Sequence, residues 1–164
     1  MIILRHLRRS ESGQSLIEFA LTAVFLILLI VGFLEVVMMV HTYNVIADSA
    51  KEGVRYAIVH GSANTGGVGP DCSTVAKCPV LLGDPGTGIV KTYAQYSLHN
   101  VTGTNMTVAA DYTTVNGGVA CNKSPCMVRI TVSYPYTPFF TSAKPVGWLP
   151  TITVNAASQG RIIF

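Results

Sequence analysis

The stretch "FALTAVFLILLIVGFLEVVMMV", residues 19–40, decides which class of protein this chain can form. No charged residue occurs from Phe19 to Leu34, and Glu35 is the only ionisable side chain in the stretch. A helix of about 20 predominantly apolar residues is long enough to cross the hydrocarbon core of a bilayer. The sequence therefore predicts one membrane-spanning helix near the N-terminus, with residues 14–40 as its transmembrane half.

Composition and charge agree with this prediction and add a direction to it. Of the 164 residues, 49% are hydrophobic and only 12% are charged, outside the usual range of soluble globular domains. The formal net charge of +3 comes largely from Arg5, Arg8 and Arg9, ahead of the span. Arginines before a span and none just after it favour a cytoplasmic N-terminus, with the rest of the chain outside the cytoplasmic (inner) membrane. The remainder has no basic patch, so nothing indicates nucleic-acid binding.

The segments on either side of the apolar run complete the N-terminal part. Residues 1–13 form a basic leader that is expected to be unstructured. No A-x-A-like cleavage site follows Val40, so removal by an ordinary signal peptidase is not expected. No proline occurs from Ser15 to Val59, so the helix is expected to continue well beyond the span. In residues 41–60 the helix becomes amphipathic. The apolar stripe expected on this part of the helix consists of Met39, Tyr43, Ile46, Ala50, Val54 and Ala57.

Residues 61–164 predict an extracytoplasmic α+β domain. The stretch "GIVKTYAQYSLHN" (88–100) predicts a short second helix, and runs over 105–115, 127–136 and 151–164 predict strands. The run "MVRITVSYPY" alternates apolar and polar residues, as expected for a sheet with one buried face. The predicted fold class is α+β, with a long N-terminal helix packed through its outer half on a small antiparallel sheet of three or four strands. The inward residues expected in the second helix are Ile89, Tyr93, Tyr96 and Leu98.

The exported domain contains four cysteines, all in loops rich in small and turn-forming residues: Cys72, Cys78, Cys121 and Cys126. An even number of cysteines in an oxidising compartment indicates disulfides, although four cysteines allow three pairings. We favour the two local pairs, Cys72–Cys78 and Cys121–Cys126. A zinc site is the alternative, but the two spacings match no common zinc motif and no histidine lies beside the cysteines.

No feature of the sequence predicts an enzyme. A glycine-rich phosphate loop, a His-x-x-x-His metal spacing and a nucleophile motif are all missing from the sequence. The histidines are scattered over different predicted elements and are expected on the surface. We therefore predict no catalytic residue, no cofactor and no metal ligand.

Glu18 lies close to the apolar run and needs an explanation, because an ionised carboxylate at the centre of a bilayer costs about 2.5–3.5 kcal/mol on insertion scales. One interpretation is a carboxylate at the cytoplasmic interface. The other is that the chain is cut after Gly13, where the lack of a Cβ permits close approach of a peptidase. Gln14 would then carry a new cationic α-amine, which could neutralise Glu18 of a neighbouring helix. Glu35 is expected to mark the outer interface, and a second buried pairing site is the alternative.

The same residues resemble a known processing signal. The basic leader, Gly13 and "QSLIEFAL", with Glu18 as the fifth residue after the glycine and Phe19 next, resemble the class III prepilin signal. More narrowly, the chain resembles the TadE-like pseudopilins of tight-adherence (Flp, type IVb) pilus systems. "GFLEVVMM" is similar to a Gly-x-x-acidic step of that family, which ends here at Glu35. Residues 126–158 show a weaker likeness. "ADSAKEGVRYA" (47–57) is similar to the family signature, which comprises Lys51, Glu52, Gly53, Arg55 and Tyr56.

The resemblance implies a pilin-like helix and a prepilin-peptidase substrate that is released with Gln14 as its first residue. It implies a minor pilin or pseudopilin that crosses the inner membrane once. The implied role is in pilus assembly, initiation or at the tip. The implied partners are other pilin subunits, the assembly platform and membrane lipid. Many relatives have a proline early in the apolar segment, whereas "LTAVF" (21–25) has none, so a kink there is not expected. The alternatives are an unprocessed, membrane-anchored binding domain and a type II secretion pseudopilin. The aromatic and proline-rich segment 134–150 is either a contact surface or a cover for the sheet edge.

Overall fold

A computed structural model describes residues 4–60, 88–98, 101–102, 105–119, 121, 123–138 and 151–163, with side chains from residue 13 onward. The chain divides into two compact units, residues 1–38 and residues 39–164. The first unit is helical where it is described. The second unit contains helices and an antiparallel sheet, so the predicted α+β class is confirmed.

The first element, α1 (Leu4–Val59), is one uninterrupted helix. Its continuity past Ser15 to Val59 agrees with the prediction, and no kink-inducing proline is present at 21–25. The expectation of an unstructured leader was wrong from Leu4 onward, because the helix already includes this segment. No proline interrupts residues 4–13, and the single glycine there costs a helix only about 1 kcal/mol relative to alanine.

Side chains on the apolar part of α1 are exposed within the first unit. Within residues 13–59 lies a segment long and apolar enough to cross a membrane, and none of its most apolar window is buried inside the protein. Phe19, for example, is 75% exposed. A helix that is apolar on all sides must be covered by lipid or by other helices, because water cannot satisfy so much apolar surface.

The outer part of α1 buries one face within the second unit. The predicted stripe is confirmed at Ile46, Ala50, Val54 and Ala57, and Met39 is half-buried. Tyr43 was wrongly placed on the stripe, since its side chain is 49% exposed. The buried face also includes positions at which the sequence has polar or small residues. They are Thr42, Ser49 and Gly53.

Ser49 shows how a polar side chain is accommodated on this buried face. It is fully buried, and its hydroxyl donates a hydrogen bond to the carbonyl oxygen of Val45, with 2.7 Å between the two oxygens. A buried hydroxyl is costly only when it lacks a partner, so this internal bond allows serine in the core.

The second helix, α2 (Ile89–Gln95), is shorter than predicted and turns a different face inward. Val90, Ala94 and Leu98 are buried, whereas Tyr93 and Tyr96 are 43% and 81% exposed. The predicted inward positions of the two tyrosines were therefore wrong, and that of Leu98 is confirmed. Val90 and Ala94 are four residues apart and share one face of α2, and Lys91, next to Val90, is buried as well.

In the part of the chain that the structure describes, the sheet has three strands: β1 (Thr107–Asp111), β2 (Met127–Tyr136) and β3 (Ile152–Arg161). They are antiparallel in the order β1-β2-β3. The central strand is therefore β2, and strands that follow each other in the sequence lie side by side in the sheet. Cα partners across the sheet include Ala110 with Ile130 and Ile130 with Ser158. The predicted alternation in β2 is confirmed. Its fully buried residues are Val128, Ile130 and Val132.

Gly160 allows β3 to approach α1 closely. A Cβ added at this position would lie 2.7 Å from Val54 Cγ1 and 3.1 Å from Ile58 Cγ2. Just beyond β3, the backbone N–H of Ile163 donates to the carbonyl oxygen of Ile58 at 3.0 Å. The end of β3 and the last turns of α1 are therefore joined by side-chain packing and by a main-chain hydrogen bond.

We expect Gly160→Ala to lower the free energy of unfolding by about 1–3 kcal/mol, because overpacking forces side chains and backbone to shift. Thermal and chemical unfolding of the full chain in detergent micelles would measure the loss. The control is Ala157→Val, which adds apolar volume at an exposed position of the same strand and should change stability by less than about 0.5 kcal/mol. Equal effects of the two substitutions would contradict the close approach at Gly160.

Asp111 ends β1 by organising the turn that follows. Its Oδ1 accepts hydrogen bonds from the backbone N–H groups of Thr113 at 2.9 Å and Thr114 at 2.8 Å. These bonds stabilise the carboxylate and hold the pKa of Asp111 below its usual value of 3.8. The next residues form a single 3-10 turn, Thr114–Asn116.

A lowered folded-state pKa means that Asp111 binds a proton less readily in the folded than in the unfolded chain. Its stabilising contribution is therefore complete above the usual carboxyl pKa and is lost as the pH falls through the folded-state value. We expect Asp111→Asn, which keeps the acceptor oxygen without the charge, to show a shallower loss of Tm than the parent chain between about pH 5 and pH 2. Identical acid slopes in the two proteins would rule out this contribution.

Candidate processing and assembly site

The residues predicted for processing and assembly lie within two turns near the start of α1. Gly13, Gln14, Glu18 and Phe19 are all exposed. Apart from the neighbouring residues and the nearby backbone of the helix itself, no described atom lies within 4 Å of the position that a Cβ on Gly13 would occupy. None of the described side chains therefore fills the space beside the Gly13–Gln14 peptide bond. An external macromolecule can approach the backbone there without displacing any described side chain.

Glu18 has two contacts within the helix. Gln14 Nε2 donates a hydrogen bond to Glu18 Oε1 at 3.4 Å, and Thr22 Oγ1 donates to the main-chain oxygen of Glu18 at 2.8 Å. Residues four apart share a helix face, so both contacts follow from the sequence spacing. Of these two contacts, only the one from the neutral amide of Gln14 reaches the carboxylate. Neither contact compensates the negative charge of Glu18.

Glu35 lies on the same helix as Glu18 but far from it. Seventeen residues separate the two positions, which corresponds to about 25 Å along a helix axis. The side chain of Glu35 is half-buried, whereas that of Glu18 is exposed. The structure therefore does not bring the two carboxylates into one site, and each must be explained separately.

The residues of the predicted family signature occupy both faces of α1 in the second unit. Lys51 Nζ lies 2.8 Å from Asp48 Oδ1, and Arg55 Nη1 lies 3.4 Å from Glu52 Oε2. Both pairs lie on the solvent side, where such ion pairs contribute at most about 1 kcal/mol. Gly53 is on the buried face.

Tyr56, the last residue of the signature, packs at the end of the helix. Its ring is stacked on that of His60, with 3.9 Å between the ring centroids and 16° between the planes. The hydroxyl oxygen is buried and has no hydrogen-bond partner among the described residues, and burial raises the pKa of Tyr56. The signature therefore combines exposed charged residues with residues that are buried or half-buried in the second unit.

Cys121 and Cys126 are joined through their Sγ atoms, with 5.9 Å between the Cα atoms. This is one of the two local pairs expected from the sequence. Cys72 and Cys78, the other pair, lie outside the described residues, as does segment 139–150 of the predicted contact loop. Among the described residues, no group of three or more His, Cys, Asp or Glu side chains could hold a metal ion.

Asn116 holds the disulfide loop together, a role that the sequence did not reveal. Its Nδ2 donates to the carbonyl oxygens of Tyr112 and Met127, both at 2.8 Å. Its Oδ1 accepts from the backbone N–H of Met127 at 2.8 Å. The only local signal was the turn-forming sequence "NGG" (116–118), in which Gly117 and Gly118 have positive φ angles.

Three features of α1 can be compared with known proteins: its exposed apolar part, the carboxylate near its start and the buried face of its outer part. Residues 13–55 match the family of TadE-like proteins. The TadE-like segment covers about a quarter of the chain and contains both Glu18 and Glu35. No curated protein and no solved structure matches the chain.

The match confirms, over these residues, the TadE-like resemblance seen in the sequence. The TadE-like family suggests a Tad pilus-associated protein. The TadE-like segment ends at Arg55, so the weaker likeness over residues 126–158 lies outside it. Among the described residues, one N-terminal helix is long and apolar enough to span a membrane, which fits a single-pass membrane anchor in such a system.

Proposed function

We propose that this chain is a minor pilin or pseudopilin of a tight-adherence (Flp) pilus, cut by a prepilin peptidase after Gly13. The observation that carries the proposal is the TadE-like match over a helix that has a carboxylate five residues after this glycine. The role is in pilus assembly, initiation or at the tip. Major subunits of the pili that the chain resembles are typically shorter, which favours a minor component.

The helix surface supports an assembly role. Every large apolar side chain from Leu16 to Ile30 is at least half exposed, and each is worth about 1.5–3 kcal/mol when it is fully removed from water. Lipid covers this surface in the inner membrane, and neighbouring helices cover it in an assembled fibre. Because both environments are apolar, the helix can pass from one to the other without a large change in apolar burial.

The basic leader supports the orientation. Arg5, Arg8 and Arg9 favour the cytoplasmic side, which puts residues 41–164 outside the inner membrane. The Gly13–Gln14 bond then lies at the cytoplasmic face, where the peptidase acts. Glu35 lies at the outer interface, where a carboxylate costs less than at the bilayer centre.

Cleavage supplies the charge that Glu18 needs. The new α-amine of Gln14 is cationic or partly so near neutral pH, since such groups have a pKa of about 7.7–8.0. Paired with Glu18 of a neighbouring subunit, it removes the cost of an uncompensated charge in an apolar bundle. Four residues separate the two groups along each helix, so direct pairing staggers neighbouring subunits by about 6 Å.

The test is the N-terminal sequence of the protein purified from a host that has the prepilin peptidase and from a matched host that lacks it. We expect Gln14 as the first residue in the former and an intact leader in the latter. A leader that remains attached in both hosts would contradict the proposal. An unprocessed membrane-anchored domain would then explain the apolar helix. A type II secretion pseudopilin would be excluded together with the Flp pilin, because both need the same cleavage.

A further inference from the structure

We propose that Gln14 is a covalent modification site, at which the new terminal amine is lost by lactam closure unless Glu18 of the same chain restrains the Gln14 side chain. The inference rests on the proposed cleavage after Gly13, since only a terminal glutamine has the free amine that the reaction needs. It gives Glu18 a second role, exercised within its own subunit before assembly.

The contact that carries the inference is the hydrogen bond from Gln14 Nε2 to Glu18 Oε1, at 3.4 Å. An ionised carboxylate has no proton to donate, so the side chain of Gln14 must turn its NH₂ group toward Glu18. The contact directs the amide of Gln14 one helical turn along the chain, toward the C-terminus. In an apolar surrounding, a hydrogen bond to a charged acceptor is stronger than the same bond in water.

Lactam closure needs the opposite arrangement of the same side chain. The lone pair of the Gln14 α-amine, in its uncharged form, attacks the side-chain Cδ. A bond forms between N and Cδ, the bond between Cδ and Nε2 breaks, and ammonia leaves with a proton taken from the attacking amine. The product is a neutral five-membered ring, and the reaction needs no oxidant or reductant.

The two arrangements exclude each other. Ring closure brings Cδ to the α-nitrogen of Gln14, whereas the hydrogen bond holds Nε2 beside a residue about 6 Å further along the helix axis. A side chain held by Glu18 is therefore out of reach of its own amine. Closure would also remove the cation that pairs with Glu18 of a neighbouring subunit, so restraint within the chain preserves competence for assembly.

The test uses the full chain with its leader exchanged for a specific protease site, so that cutting leaves Gln14 as the first residue whether or not a prepilin peptidase recognises it. The cut protein is incubated in phosphatidylethanolamine–phosphatidylglycerol vesicles. Mass spectrometry of the N-terminal peptide then measures the loss of ammonia with time. Three variants are compared with the parent, Glu18→Ala, Glu18→Gln and Gln14→Ser, and circular dichroism confirms that each retains its helix.

We expect Glu18→Ala, which has no acceptor, to close several-fold faster than the parent. Glu18→Gln retains an acceptor oxygen and should close more slowly than Glu18→Ala, and Gln14→Ser should lose no ammonia. Equal closure rates for the parent and Glu18→Ala, or no closure in either protein, would overturn the inference. A leader retained in the native host would instead defeat the proposed function, and it would leave these closure rates unchanged.

Discussion

Glu18→Val should enter the membrane as efficiently as the parent chain and fail to support pilus assembly. The substitution removes the proposed partner of the terminal amine and leaves that amine uncompensated among apolar helices. Breaking a buried pair by removing one partner typically costs about 3–5 kcal/mol, which corresponds to a fall in subunit incorporation on the order of 100-fold or more. Surface pili would be counted by electron microscopy, and membrane insertion would be measured by resistance to alkaline extraction.

Two comparisons make this result specific to the charge. Leu21→Val changes an exposed apolar side chain at nearly the same depth and adds or removes no charge, so we expect pilus numbers close to those of the parent. The N-terminus of the Glu18→Val protein should be determined as well, because a block in cleavage would also stop assembly. Normal pilus numbers in the Glu18→Val strain would refute pairing between the amine and the carboxylate.

Ile130→Ala should produce the largest loss of stability in the second unit, about 2–5 kcal/mol. Ile130 lies at the middle of the central strand β2, is fully buried, and has Cα partners on both sides in Ala110 and Ser158. Truncation removes buried apolar surface and leaves a cavity that the two neighbouring strands cannot easily fill. Denaturant unfolding of the full chain in detergent, followed by circular dichroism, would measure the change.

Val119→Ala is the matched control for this truncation. The side chain of Val119 is 66% exposed in the loop that follows β1, so its removal should alter stability by less than about 0.5 kcal/mol. If both variants unfolded at the same denaturant concentration, the packed core on β2 would not be the main source of stability in this unit.

Local periodicity was enough to predict the main elements. The lack of proline predicted that α1 continues from the membrane segment into the second unit, and the alternation in "MVRITVSYPY" predicted both β2 and its buried face. The apolar positions of the helix stripe at Ile46 and Val54 followed from a period of 3.6 residues. In each case the information lies within a few residues of the position concerned.

Other features depend on contacts that the local sequence does not encode. Tyr43 was expected on the apolar stripe of the helix and Tyr96 among the inward residues of the second helix, yet both are exposed. The smaller residues Thr42 and Ala94 are buried instead. Asn116 acts on Met127, eleven residues further along the chain. Gly160 is explained only by side chains of α1 more than 100 residues earlier in the sequence.

Because α1 passes through Gly13, the proposed cleavage would have to act on a peptide bond within a helix. A peptide bond within a helix is enclosed by the hydrogen bonds of its own turn, so a peptidase that needs an extended strand must first unwind that turn. Glycine lowers this barrier, because it favours the helix by about 1 kcal/mol less than alanine does. We therefore expect a Gly13→Ala chain to be cut more slowly than the parent, for a conformational reason as well as a steric one. The rate of local unwinding at Gly13 would then limit how fast the precursor is processed.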